Sequence, residues 1–455
     1  MVLMKRYGVV LGAGMGTRMK SEVPKVLHQV MGKTMIEHAV GVLEGAKVEK
    51  AVVVTGHKAE LVEACLGDRA EYVLQNEQLG TAHAVMMAEP ILADLNGTTV
   101  VTYGDGPLLT AETLAQLFLK HEQSGAKLTM LTAMADNPTG YGRIVRNSEG
   151  HVARIVEQKD ASPEELLITE INPGVACYDN KVLFEALTKV ENNNAQGEYY
   201  LTDLVEIIAS MGHRVASILT DHFEEILGVN DRIQLAEAGR MMRARINKKH
   251  MENGVTMVDP SATYIEADVV IGADVTLEPN VYLKGNTVVE SGAIIGTGTH
   301  LVNAKIGAGS HVQASFVSDS EIGADATVGP FAHIRAESAV GEKSRIGNFV
   351  EIKKASLGAG VKAAHLSYMG DAEIGPRVNM SCGAIIANYD GKKKHKTTIG
   401  ADAMIGSNVN LIAPVEIGAG AYVAAGSTIG KDVPAEALAI ARVKQQNKEG
   451  YAKRL

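Results

Sequence analysis

The chain has 455 residues, enough for two or more domains each with its own core. Its net charge of −9 argues against a general nucleic-acid binder, which would present a basic face. Three cysteines (Cys65, Cys177, Cys382) lie far apart, are odd in number and lack metal-ligand spacing, so they read as reduced thiols of a cytoplasmic protein. The apolar run at Val9–Leu11 is too short for a signal sequence and leads into a glycine loop. No stretch approaches 18 apolar residues, so no membrane span is expected.

Over residues 1–229, short apolar runs alternate with segments of helical spacing. Tyr7–Leu11, Ala51–Thr55, Thr99–Tyr103 and Leu128–Ala133 read as buried strands; Met35–Leu43, His83–Ala88 and Ala111–Ser124 read as helices. This alternation predicts an α/β domain, a mainly parallel sheet with helices on both faces. Ligands of such sheets bind beyond the carboxyl ends of the strands. Two motifs fall there.

The first is Leu11-Gly12-Ala13-Gly14-Met15-Gly16-Thr17-Arg18, followed by Pro24-Lys25. Glycines let backbone approach a phosphate, and N–H groups at a following helix start favour its charge. The spacing is neither G-x-G-x-x-G nor a Walker loop. Arg18 and Lys25 add the positive charge a triphosphate needs; the other reading is an ordinary tight turn with two surface cations. The second is Tyr103-Gly104-Asp105-Gly106, ending a strand. Asp105 is a candidate Mg²⁺ ligand or a helix cap, since Mg²⁺ takes one or two carboxylates plus phosphate oxygens. Gln75, Gly80 and Thr81 follow another strand, where they could read a base edge.

Residues 230–254 form a linker. Asp231–Asn253 has helical spacing and ends at Asn253-Gly254, predicting one long helix that leads away from the first domain. Its basic run from Arg240 to Lys249 reads as a solvated face.

Residues 255–455 are organised by a six-residue beat. Aliphatics recur at Ile271, Leu277, Leu283, Val289, Ile295 and Leu301, again from Ile322 to Ile352, and again from Ile399 to Ile429. Glycine often follows, as at Gly272, Gly307, Gly323, Gly400 and Gly418; four residues past the aliphatic comes a small or β-branched residue such as Thr299 or Ser344. Neither a helix nor a simple strand has this period. A parallel β-helix does, with one hexad per face, the aliphatic pointing into a narrow prism, and Gly or Asn turning the corners at positive φ. A prism too narrow for rings also suits an aromatic content of 4% and the absence of tryptophan. The beat breaks near 331–370, which offers Arg335, Glu351, Lys353, His365 and Tyr368, and at the insertion Asn388–Lys396. Breaks in a solenoid mark its functional face.

Together, G-x-G-x-G-T-R, P-K-V-L-H, Q-L-G-T-A-H, Y-G-D, G-Y-G-R-I, E-I-N, N-N-N-A-Q-G-E-Y-Y and G-V-N-D-R, with Ala363-Ala364-His365-Leu366-Ser367-Tyr368 behind them, resemble one family over essentially the whole chain. It is the bifunctional N-acetylglucosamine-1-phosphate uridylyltransferase/glucosamine-1-phosphate acetyltransferase family. The resemblance implies a Rossmann-like nucleotidyltransferase domain, a left-handed hand for the β-helix, and a cytoplasmic homotrimer that makes UDP-N-acetylglucosamine for cell-wall precursors. It implies Leu11, Gly12, Ala13 and Gly14 at the uridine and phosphate loop, with Arg18 and Lys25 on the phosphates. Gln75, Gly80 and Thr81 would read uracil, Tyr103, Gly104, Gly142, Glu157 and Asn172 would hold the sugar, and Asp105 and Asn230 would hold Mg²⁺. In the acetyltransferase, His365 would be the base, assisted by Glu351. Arg335 and Lys353 would bind the sugar phosphate, Tyr368 and Asn379 the sugar. Cys382, Asn388, Tyr389, Ser407, Ala425 and Arg442 would bind acetyl-CoA, and the Lys392–Lys394 run would either meet coenzyme A phosphates or simply keep a loop soluble. UTP and acetyl-CoA are the co-substrates. The chain departs from the family pattern at Gly12, Met15, Gly106, Pro173, Ala336, Ala364 and Ser381-Cys382. If a glycine at 364 serves a positive φ, Ala364 strains the backbone beside His365; slower turnover is expected there and at Pro173. The alternative function is a sugar nucleotidyltransferase whose β-helix is only structural.

Overall fold

The computed structural model describes residues 4–454, which divide into two units, up to Met242 and from Arg243 onward. In the first, the apolar runs form strands slightly longer than expected: Arg6–Leu11, Lys50–Thr55, Thr98–Tyr103 and Leu128–Met134. Glu71–Leu74, Lys50–Thr55, Arg6–Leu11 and Thr98–Tyr103 lie side by side in that order, all parallel. Ala176–Asp179 then enters antiparallel between Thr98–Tyr103 and Leu128–Met134, and Val215–Thr220 pairs parallel with the latter. Glu170–Asn172, Gly142–Arg146 and Val152–Val156 complete ten strands as antiparallel neighbours. The sheet is therefore mixed, and its parallel part carries the glycine loop.

Alternation along the central strands explains the layers. Val9, Leu11, Val52, Val54 and Val101 belong to a core on one face, while Val10, Val53 and Val100 belong to a core on the other. Helix Met35–Gly45 starts at a capping box between Thr34 and Glu37, and Ala111–Ser124 is capped by Thr110. The segment read as a helix over His83–Ala88 is the helix Thr81–Met86, and a separate short helix follows it, Glu89–Leu92, with Pro90 in its first turn.

The linker helix spans Arg232–Glu252. Gly254 (φ +90°) closes it: its N–H donates to Met251 O at 3.0 Å, and Val255 N–H to His250 O at 3.1 Å, a Schellman arrangement. The boundary between the two units falls within this helix.

The second unit is a left-handed parallel β-helix with three strands per coil, each strand pairing with the third one after it. The beat residues line one continuous core, Leu277, Leu283, Ile295, Ile306, Val312 and Ile334 being fully buried. The beat was lost between Leu301 and Ile322 because coils shorten there: His300 pairs with Phe316, sixteen residues on, where Thr276 pairs with Ile294, eighteen on. Hydroxyls at the small position serve the corners; Ser344 donates to Gly358 O at 3.2 Å and accepts from Val361 N–H at 3.1 Å.

The glycines after the aliphatics have a different cause from the one expected. Gly307, Gly323 and Gly400 are not at positive φ; a Cβ on each would lie 2.5 Å from a backbone nitrogen of the next coil. They permit close approach between coils. Positive φ falls two residues later and is taken by Gly309, Asp325 and Asp402.

Candidate active sites

Residues from three strand ends meet at the tip of the parallel sheet. Leu11, Gly12, Ala13, Gly14, Lys25, Gln75, Gly80, Thr81, Tyr103 and Asp105 all line one open cleft, of about 760 Å³, together with Gln78 and Glu198, which stand in the quoted motifs without an expected role. Gly16 must be glycine twice over: its φ is +62°, and a Cβ would lie 2.5 Å from Lys25 Cβ. No long helix follows the loop, only a single 3-10 turn, Thr17–Met19. The expected helix start is therefore absent, and positive charge at the loop comes from side chains. Lys25 Nζ donates to Asp105 Oδ2 in a short contact and to Asn230 Oδ1 at 3.2 Å, and Arg18 Nη2 donates to the same Asn230 oxygen at 2.8 Å. Two protein oxygens thus converge on one cation.

Gln75 is 3% exposed, and its amide nitrogen donates to Gly80 O at 3.2 Å and to His83 Nδ1 at 3.0 Å, leaving the carbonyl oxygen as acceptor. Tyr103 borders this cleft, a second one lined by Arg18, Asn230, Gly140, Tyr141 and Pro173, and a small third lined by Asn172, Gly174 and Thr202. Glu157 accepts from the Thr202 hydroxyl at 3.2 Å, and burial pushes its carboxyl above the usual range. A Cβ on Gly142 would lie 3.4 Å from Glu157 Oε1, so these two belong together; a Cβ on Gly104 would lie 2.6 Å from Ile36 Cδ1, which makes Gly104 a packing requirement. Asn172 Oδ1 accepts from Gly174 N–H at 3.0 Å.

In the β-helix, the strands Arg345–Leu357 and Lys362–Ile374 each run thirteen residues through a corner and pair along their length. His365 is exposed and lies directly across from Asn348, with Nδ1 and Asn348 Oδ1 3.1 Å apart. Glu351 does not take that bond; it accepts from Arg335 Nη1 at 2.7 Å. Arg335 pairs in register with Lys353, and the Lys394 ammonium beside Lys353 pushes its pKa down. Lys394 of the insertion therefore joins Arg335 and Lys353 in one cationic group. The insertion is held by Asp390, which accepts from the Lys392 and Lys393 N–H groups and from His395 Nε2, each at 2.7 Å.

Asn379 donates to Ser381 Oγ at 2.9 Å, and Asn388 donates to Asp371. A Cβ on Gly370 would lie 2.5 Å from Tyr368 Oη and 2.6 Å from Asn388 Nδ2, so Gly370 makes room for both. Extending the coil registers from Lys362–Asn379, Asn379–Met404 and Met404–Tyr422 places His365, Cys382, Ser407 and Ala425 in one column up the prism. Cys382, Tyr389, Ser407, Ala425 and Arg442 are exposed; Asn388 is buried. Ala364 is not at positive φ, so the expected strain is absent; Leu366 takes that conformation instead, at +40°. Asn348, Gly370 and Lys394 had not been assigned; stepping one coil back from His365 points to Asn348.

A nucleotide-type cleft on a parallel sheet and an exposed imidazole with a cationic patch on a β-helix define a two-domain transferase. Residues 7–226 match the nucleotidyl transferase family, 260–357 the GMPPB C-terminal domain, and 396–431 the bacterial transferase hexapeptide repeat. The chain is 56% identical over 453 residues to the bifunctional protein GlmU of a Geobacillus species, covering 100% of this chain and 99% of that protein. It is 55% identical to GlmU of Geobacillus thermodenitrificans, with the same coverage, and 54% identical to GlmU of Bacillus subtilis over 451 residues, 99% of each chain. The chain belongs to the GlmU family. It is a bifunctional enzyme of UDP-N-acetylglucosamine synthesis, with uridylyltransferase and acetyltransferase activities.

Among the described residues, no helix is long and apolar enough to cross a membrane.

Proposed function

We propose that the two activities are divided between the two sites: acetyl transfer from acetyl-CoA to glucosamine 1-phosphate at His365, and uridylyl transfer from UTP to N-acetylglucosamine 1-phosphate in the Lys25–Asp105 cleft. The observation that carries the second assignment is the convergence of Lys25, Arg18, Asp105 and Asn230 beside the glycine loop. The Gln75 carbonyl accepts the uracil N3–H, a donor that cytosine lacks. Glu157, Asn172 and Gly142 hold the sugar. Asp105 and Asn230 would hold Mg²⁺: both are hard oxygen donors and both already face one cation. Such an ion would supply neutralisation of phosphate charge. Lys25 and Arg18 keep the β- and γ-phosphates in line as pyrophosphate leaves, and no protein nucleophile is needed.

At the second site the Asn348 carbonyl accepts a hydrogen bond from Nδ1–H, so Nε2 of His365 is the basic nitrogen for the substrate ammonium. Arg335, Lys353 and Lys394 bind the sugar phosphate, with Tyr368 and Asn379 on the ring, and Glu351 fixes the Arg335 guanidinium. Acetyl-CoA lies along the column of Cys382, Ser407 and Ala425, reaching Asn388, Tyr389 and Arg442. A homotrimer is the working assembly: Phe331, Phe349 and Leu366 are 58–60% exposed along one corner beside His365, an apolar surface suited to a second copy. One reaction uses acetyl-CoA and the other UTP, which fits the cytoplasm. The test is the purified protein given each substrate pair separately. Free thiol should appear with acetyl-CoA and glucosamine 1-phosphate, and pyrophosphate with UTP and N-acetylglucosamine 1-phosphate. Pyrophosphate without thiol would leave the β-helix a structural element.

A further inference from the structure

Arg143 is 1% exposed, on the Gly142–Arg146 strand between Ile171 on one side and Val156 on the other. Buried guanidinium groups are ordinarily paired with a carboxylate, because burying an uncompensated charge is costly. Among the described residues none forms an ion pair with Arg143, and burial alone lowers its pKa. Its bonds go instead to neutral acceptors. Nη1 donates to Tyr141 O, Nη2 donates to Gln158 Oε1 at 2.8 Å, and the buried Nε has no partner. The Gln158 oxygen also accepts from Gly140 N–H at 3.1 Å.

One planar cation therefore grips two chain segments. The first, Gly140–Gly142, supplies Gly140 and Tyr141 to the wall of the cleft that contains Asp105 and Asn230. The second, Glu157–Gln158, carries the carboxylate assigned to the sugar. The two already touch, since a Cβ on Gly142 would lie 3.4 Å from Glu157 Oε1. A fork of N–H groups can hold both acceptors at a fixed separation; a lysine ammonium is a point donor on a flexible stem. Well-packed apolar side chains often replace buried charges without loss of stability, so stability alone gives little reason for an arginine here.

We propose that Arg143 is a positioning residue of the sugar subsite. It holds the Gly140–Gly142 segment against Glu157–Gln158 and thereby sets affinity for N-acetylglucosamine 1-phosphate. The inference rests on the reading of this cleft as the uridylyltransferase site. It is tested on the full-length chain with Arg143→Lys, Gln158→Ala and Gln158→Glu, measuring KM for each substrate, kcat, and acetyl transfer by the same preparation. Arg143→Lys and Gln158→Ala should each raise KM for the sugar phosphate about tenfold, the effect of one charge-assisted hydrogen bond, while KM for UTP moves less than about twofold. Gln158→Glu keeps the acceptor and supplies the missing charge, so it should recover most of the sugar affinity that Gln158→Ala loses. An unchanged KM for UTP in every variant shows the first unit folded, and unchanged acetyl transfer shows the same for the second. An unchanged sugar KM in Arg143→Lys, or equal rises for sugar and UTP, would overturn the proposal. A wild-type chain inactive on UTP and N-acetylglucosamine 1-phosphate would instead remove the reading of the cleft.

Discussion

His365 and Asn348 face each other across adjacent coils, with Nδ1 and the carboxamide oxygen 3.1 Å apart. An amide oxygen only accepts, so the contact assigns the imidazole proton to Nδ1 and the lone pair to Nε2. Asn348→Ala should lower kcat for acetyl transfer about tenfold and leave pyrophosphate release unchanged. Asn348→Asp keeps an oxygen acceptor for the Nδ1 proton, so it should retain more thiol release than Asn348→Ala. Initial rates of thiol release check both; an Asn348→Asp variant no better than Asn348→Ala would contradict the pairing.

Asp105 and Asn230 share the Lys25 ammonium. Asp105→Asn should reduce uridylyl transfer by at least about a hundredfold, as loss of a charge-stabilising group in phosphoryl transfer does. A chelator should abolish the same reaction in the wild type and spare thiol release. Chelator-resistant pyrophosphate release would remove the metal from the scheme.

Gly174 has φ +81°, and a Cβ there would lie 2.0 Å from Tyr103 Cε2. Gly174→Ala should therefore destabilise the first unit by about 1–3 kcal/mol and displace the Tyr103 ring, raising KM for the sugar phosphate. Urea unfolding followed through loss of pyrophosphate release reads the first effect and initial rates the second.

His121 is 3% exposed, its Nδ1 lies 3.0 Å from Thr129 Oγ1, and burial depresses its pKa to about 4. The unfolded chain binds this proton more readily, so the resulting stability is fully present above the unfolded pKa of 6.5 and is lost as pH falls toward 4. The full shift corresponds to about 3 kcal/mol. His121→Gln should flatten the pH dependence of the first unit's urea midpoint between pH 6.5 and 4, and an unaltered slope would contradict it.

Much of this was legible because a narrow prism admits one aliphatic per face, so Leu277 to Leu301 announce the β-helix without reference to distant residues. The beat vanished after Leu301 because the shortened coils keep the core while changing the spacing, which Ile306, Val312 and Val317 show. Gly307 illustrates a different limit. Its position in the hexad was readable, whereas its cause, the backbone of the next coil 2.5 Å from a would-be Cβ, exists only once the coils stack. Asp105 and Gln75 stood just past strand ends, and Lys25 in the motif that follows the glycine loop, so all three could be placed in advance. Asn348 needed the coil register, one step back from His365, and Arg143, although inside G-Y-G-R-I, has its second acceptor on Gln158, which that motif does not show.

The most direct test of two sites with separate chemistries is a paired assay of His365→Ala and Asp105→Ala in the full-length chain. The expected result is a crossed pattern: His365→Ala retains pyrophosphate release and loses thiol release, while Asp105→Ala does the reverse. Loss of both activities in either folded variant would contradict the division.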